Sequence, residues 1–262
     1  MTHLIAVTNQ KGGVGKTTTC VTLAACLAVG GKRTLLVDMD PQGNATSGLG
    51  IDRKSLSASV YELLLDSTRP GDVIQHTSIP RLDVLPASIE LVGAEMDLVD
   101  FSDRPYRLAN ALKDSLSDYD YVLVDSPPSL GLLTVNVLSF VKHVLIPVQA
   151  EYYALEGLSM LVSTIEKIRH TLNRDLSILG LAMTMYDGRT NLAQQVQEEV
   201  RRVFGEKVFQ TVINRSVRFS EASSFGKPII FYDFGSKGAA DYLALSQEVL
   251  DVCEKESARA RA

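Results

Sequence analysis

The chain has 262 residues, with 26 Lys and Arg against 31 Asp and Glu for a net charge of -5. That length can bury a substantial core, and the acidic balance excludes a molecule drawn to nucleic acid by its overall field, so any such contact must come from a local patch. With 45% hydrophobic and 22% charged residues and no low-complexity tract, one domain over residues 1–256 is expected, with a disordered tail over 257–262.

The first seven residues carry neither the basic start nor the long apolar stretch of a signal peptide, and no apolar run approaches the ~18 residues of a membrane span. A cytoplasmic protein without membrane association is expected. Short apolar runs then alternate with longer helical patterns. Residues 4–8, 34–37, 82–85, 121–124, 143–148 and 177–184 read as strands, and 16–29, 104–117, 156–172, 192–204 and 238–254 as helices. Strands that are apolar almost throughout, separated by helices, predict an α/β fold with a doubly wound, mostly parallel sheet and helices on both faces. The last helical pattern interleaves Tyr242, Leu245 and Val249 with Asp241, Glu248 and Asp251, which suits core packing better than a membrane-surface helix. Cys20, Cys26 and Cys253 form no Cys-x-x-Cys pair and read as core residues.

Between the first strand and the first helix stand Gly12, Gly13, Val14, Gly15, Lys16, Thr17 and Thr18. Glycines there let backbone N–H groups point inward, and the helix start adds positive potential. Lys16 can reach β- and γ-phosphates, and Thr17 can hold Mg2+. The usual spacing places the first glycine at residue 10, where this chain has Gln10 with Lys11 beside it. A lysine ahead of the loop can neutralise charge on a transferred phosphate or simply be solvated, and its position alone leaves both open.

Asp38 and Asp40 follow the second strand at the carboxyl edge, where α/β sheets bind ligands. Either can face phosphates, or cap a turn or helix. Tyr121-Val-Leu-Val-Asp125 places Asp125 at the end of a buried strand, able to support Mg2+ directly or through water, and residues 126–131 form a second candidate switch. Taken together the three segments point to a site that binds and hydrolyses a nucleotide with Mg2+, which the resemblance below makes ATP.

Segments 11–19, 38–50, 125–133, 147–157, 184–191 and 218–228 together resemble the ParA/Soj family of chromosome and plasmid partition ATPases, with the deviant phosphate loop of the ParA/MinD class. The resemblance implies that Lys11 reaches the nucleotide of an opposing subunit and that Asp40 positions the attacking water, beside Thr17 and Asp125 at the metal. It further implies an ATP-bound homodimer, non-specific binding of double-stranded DNA on the nucleoid, and release when a ParB-like partner stimulates hydrolysis. For DNA it points to Arg189 and Arg218, within a stretch, 185–240, that holds eight Lys/Arg against six Asp/Glu. Arg201, Arg202 and Lys227 can add phosphate contacts, which give affinity without sequence readout, whereas Lys207 reads as a solvated residue. Asn214 and Ser223 stand where family members often carry proline, which leaves Asn214 open as a base contact or a turn residue. The competing expectations are a MinD-like membrane-positioned ATPase, for which the C-terminal helix is poorly suited, and a small-molecule kinase or ligase. A nitrogenase iron-protein-like reductase would need cluster-bridging cysteines that Cys20 and Cys26, inside the first helix, do not supply.

Overall fold

The structure is a computed structural model that describes residues 2–151 and 154–261. Among these residues the strands are β1 (His3–Val7), β2 (Thr34–Asp38), β3 (Gln75–His76), β4 (Leu82–Leu85), β5 (Tyr121–Asp125), β6 (His143–Gln149), β7 (Ser177–Tyr186) and β8 (Val208–Asn214). They lie in the order β3-β4-β2-β5-β1-β6-β7-β8. Every neighbouring pair is parallel except β3 with β4. The principal helices are α1 (Lys16–Val29), α2 (Asn44–Gly48), α3 (Arg107–Leu112), α4 (Leu132–Phe140), α5 (Ala154–Thr171), α6 (Asn191–Phe204), α7 (Arg218–Ser224) and α8 (Lys237–Arg261).

Alternate residues of the central strands feed two cores, as the period of two requires. Ala6, Leu35, Val37, Val122 and Val124 pack with α3, α4, α5 and α6 on one face. Ile5, Val7, Leu36 and Leu123 pack with α1 and α8 on the other. With both faces covered, the predicted doubly wound sheet is the observed one.

All six predicted strands are present. Two strands escape the sequence reading: β3 has two residues and one ladder partner, and β8, at the sheet edge, mixes buried, half-exposed and exposed positions without a period of two. Helix α4 escapes it too, because Leu-Leu-Thr-Val-Asn-Val-Leu-Ser-Phe is buried nearly all round and shows no amphipathic stripe. The helix expected over 104–117 is shorter, a 3-10 turn at Arg104–Tyr106 followed by α3, as Pro105 at the start and a polar end dictate. Helix α8 runs through residue 261. Good helix formers continue it, and Ser257 meets His3 Nε2 at 3.3 Å while Glu256 meets His143 at 3.2 Å. Ala262 lies outside the described residues. No helix among them is long and apolar enough to cross a membrane.

What matters for chemistry is register. Val7 pairs with Asp125, and Asp125 with Asp38, so β1, β5 and β2 end level with one another. The loops that leave them therefore start from one line at the carboxyl edge of the sheet, where such folds hold ligands.

Candidate nucleotide-binding site

The loop after β1 is pinned before it turns. Asn9 donates its amide to Pro147 O (2.7 Å) and accepts from the Lys11 N–H (3.0 Å), tying the loop to the end of β6. Thr184 of β7 donates to Val14 O at 2.8 Å, which fixes the far side. Gly13 and Gly15 sit at φ 77° and 86°, the left-handed region where a side chain would be strained. Helix α1 then begins with no side-chain cap and no acidic residue in its first turn, so its first N–H groups remain available to an anion. Lys16 is buried, and its ammonium donates to Lys11 O at 3.1 Å. Burial draws its pKa below the ordinary lysine value, against the opposing pull of Asp125 and Asp40.

Three carboxylates face this loop with different loads. Asp125 is wholly buried; its Oδ2 accepts from the Thr17 hydroxyl at 2.7 Å, while Oδ1 is buried without a hydrogen-bond partner. Burial, then the neighbouring Asp38, pushes its carboxyl well above the usual range. Asp38 is equally buried but fully engaged: Oδ2 takes the Thr46 N–H (2.8 Å) and hydroxyl (2.7 Å), and Oδ1 the Asp40 N–H (3.2 Å). It caps α2, which is the structural one of its two sequence readings. Asp40, nearly buried, accepts the Gln42 N–H at 2.9 Å through Oδ1, and no bond to its Oδ2 is found among the described residues.

An unpartnered buried carboxylate oxygen beside a threonine hydroxyl fits a hard divalent cation. Among the described residues no three His, Cys, Asp or Glu side chains converge as a cage. A cation held by one or two protein oxygens, phosphates and water needs none. Thr17 and Asp125 are the residues that would hold Mg2+, with Asp40 close enough to sense its charge; such an ion neutralises charge on the outer phosphates.

The same burial makes a pH prediction. Asp38 is pushed up to about 6, chiefly by burial, against 3.8 as its ordinary value. Between about pH 4 and 6 the folded chain therefore holds a proton that the unfolded chain releases, and stability falls as pH rises through that window. Thermal melts of nucleotide-free Asp38→Asn should gain on the wild type by about 3 °C or more between pH 4.5 and 7; a pH-independent difference would refute this.

Next to Gly15 and Thr18 opens a cavity of about 500 Å3, walled by Met185, Val217, Phe219 and Tyr242. Asn214 stands in its wall, and the Tyr242 hydroxyl meets Thr19 at 2.9 Å. Its size and mixed lining suit a purine nucleoside attached to phosphates in the loop.

The remaining predicted residues fall in three places. Lys11 is half-exposed and ion-paired with Glu151 of its own chain, at the rim of the loop. Arg189 follows β7 and forms a two-pronged pair with Asp187 (2.8 and 2.7 Å); Arg218, opening α7, pairs with Glu221 at 2.8 Å. Arg215, which the sequence reading passes over, is exposed and shares a cleft with Arg189. These three arginines belong to the carboxyl edge of the sheet. Arg201 and Arg202 do not join them: Arg201 donates to Phe209 O (3.0 Å), at the opposite end of β8, and Arg202 pairs with Glu199. Lys227 lines a narrow cleft with Thr17, Thr18 and Thr22, beside the phosphate loop. Arg215 was detectable as a lysine/arginine-rich loop residue; Asp187, Glu221 and Glu151 as partners were not, since their pairing is tertiary.

Known proteins match this arrangement along its whole length. A family model described as an AAA domain matches residues 2–178. The sporulation initiation inhibitor protein Soj of Bacillus subtilis is 56% identical over 249 residues, covering 95% of this chain and 98% of its own. The chromosome-partitioning ATPase Soj of Thermus thermophilus is 52% identical over 246 residues, 94% of each chain. Among solved structures, the protein titled cobyrinic acid a,c-diamide synthase from Mycobacterium smegmatis, with bound ADP and magnesium, superimposes with a TM-score of 0.84 at 38% identity, covering 95% of this chain and 94% of that one. With 56% and 52% identity to such relatives over nearly the full length of both chains, the chain belongs to the ParA/Soj family of chromosome-partitioning ATPases.

Proposed function

We propose that this ATPase is a dimer switch: two copies close on ATP and Mg2+, the closed pair holds double-stranded DNA without reading its sequence, and hydrolysis, stimulated by a ParB-like partner, releases it. The observation that carries the reading is the division of labour between two lysines of one loop. Lys16 is buried in the site, whereas the Lys11 head lies at the rim, half-exposed against Glu151. An ammonium placed outward serves a neighbouring copy's nucleotide better than its own, much as an arginine finger acts in trans. In this scheme Gly12, Gly13, Val14, Gly15, Lys16, Thr17 and Thr18 clasp the phosphates. Thr17 and Asp125 hold Mg2+, Asp40 orients the attacking water, and Asn214 meets the base.

Arg189 and Arg218, with Arg215, form the DNA-facing patch, to which Lys227 lies adjacent. Arg201 and Arg202 are a weaker contribution, being at the far end of β8. The protein then works in the cytoplasm at the nucleoid.

The test is light scattering and DNA binding with ATP, ADP or no nucleotide. A dimer and DNA affinity that appear only with ATP are expected, with phosphate released and no metabolite modified; a chain that stays monomeric at saturating Mg-ATP refutes the switch. Arg189→Ala with Arg218→Ala is expected to lower the log–log salt slope of binding by about 2 per protomer while DNA-free ATP turnover is kept. An unchanged slope removes these residues from the interface.

A further inference from the structure

Asn214 is held in a way that fixes which end of its amide can meet a ligand. Its backbone N–H and its side-chain Nδ2 both donate to Asp241 Oδ2, at 3.1 and 2.8 Å. Asp241 is 3% exposed, and its second oxygen is ion-paired with Lys237 one turn earlier on α8. A carboxylate so paired only accepts, so the amide nitrogen must face it and the amide oxygen must face away. No donor within the described residues engages that oxygen, and Asn214 stands in the wall of the cavity beside Gly15 and Thr18. The nearby Ser216 hydroxyl accepts the Arg218 N–H at 3.2 Å and makes no bond to the Asn214 oxygen within the described residues. The cavity wall therefore carries a side-chain acceptor that cannot turn into a donor without losing its bond to Asp241 and setting its oxygen against that buried carboxylate, lone pair to lone pair.

Purines differ in the group that such an acceptor meets. Adenine offers an amino group at position 6; hypoxanthine and guanine offer a carbonyl oxygen there, which would oppose the Asn214 oxygen lone pair to lone pair. We propose that Asp241 is a positioning residue that locks the Asn214 amide as an acceptor, and that this lock makes the site select the 6-amino purine. The inference rests on the reading that the cavity takes the nucleotide base. Sites built to bond a polar group reject analogues that leave the bond unmade, and one such bond supports a preference of about tenfold or more.

The experiment is equilibrium binding of ATP, ITP and GTP with Mg2+ to the full chain. ITP isolates position 6, because it differs from ATP only there and at the adjoining N1. The wild type is expected to prefer ATP over ITP by about tenfold or more. Asp241→Asn, which lets the Asn214 amide turn, and Asn214→Ala, at a half-buried position that the fold tolerates more readily, should each bring the ratio within about threefold. Lys237→Ala, which keeps the carboxylate, should leave it near the wild-type value. A purely structural role for Asp241 would weaken all three nucleotides alike and leave the ratio intact, which overturns the proposal. So does a wild type that does not discriminate. Failure of the underlying site reading is separately visible: Val217→Trp, a bulky replacement at an exposed position of the cavity wall, would then leave the affinity for ATP itself unchanged.

Discussion

Asp40→Ala is expected to bind Mg-ATP and persist as a dimer while turning it over at least about 100-fold more slowly than the wild type, the usual range for removing a group that orients or deprotonates the nucleophile. The contrast among the three carboxylates is the reason. Asp38 has both oxygens consumed, Oδ2 by Thr46 of α2 and Oδ1 by the Asp40 N–H, and Asp125 is tied to Thr17. Asp40 alone of the three combines near-burial with an oxygen uncommitted to the described residues, on a loop rather than inside a strand. It can therefore hold a water without dismantling the fold. Phosphate release and light scattering on the same sample decide the matter. Turnover within a fewfold of the wild type would shift the water-positioning role elsewhere, and loss of the dimer would make Asp40 a binding residue.

Lys16→Ala is expected to cost about 100-fold in affinity for Mg-ATP, since a charge-assisted hydrogen bond to phosphate contributes roughly 1.5–3 kcal/mol and more than one phosphate oxygen lies within reach of a lysine in such a loop. Dimerisation and DNA binding should vanish with it. The fold should survive, because Lys16 is a buried cation whose desolvation already draws its pKa down, so truncation removes a costly charge along with a useful one. Titration calorimetry reads the affinity, and a thermal melt verifies folding. A folded variant that binds ATP as the wild type does would exclude Lys16 from the phosphate site.

Much of this was legible in the chain itself. Apolar strands such as Tyr121-Val-Leu-Val state a sheet covered on both faces, and the glycines with Lys16 and Thr17 after such a strand state a phosphate site. What stayed hidden depends on partners distant in sequence. Nothing around Asp38 says that Thr46 will occupy it, and nothing around Asn214 announces Asp241, 27 residues later and one helix away. The arginines were visible as charges but not as ion pairs with Asp187, Glu199 and Glu221. Helix α4 was missed for a related reason: a helix buried on every side has the composition of a strand.

The stretch from Asp38 to Thr46 is anchored at both posts and closes a turn of its own between them, with the Gly43 N–H on Asp40 O at 2.8 Å. The Thr46 hydroxyl that donates to Asp38 also receives the Ala87 N–H at 3.0 Å, so the two anchors and the chain leaving β4 are one buried knot. Between the anchors, Met39 is buried and Asn44 and Ala45 already belong to α2, so the turn proper is Asp40, Pro41, Gln42 and Gly43, steadied from outside by Arg53 on the Pro41 and Gln42 carbonyls. Asp40 thus stands between the buried knot, through its N–H bond to Asp38, and the outer turn that Arg53 holds. A γ-phosphate drawing on Asp40 would act on this short turn, whose two ends the buried knot holds in place.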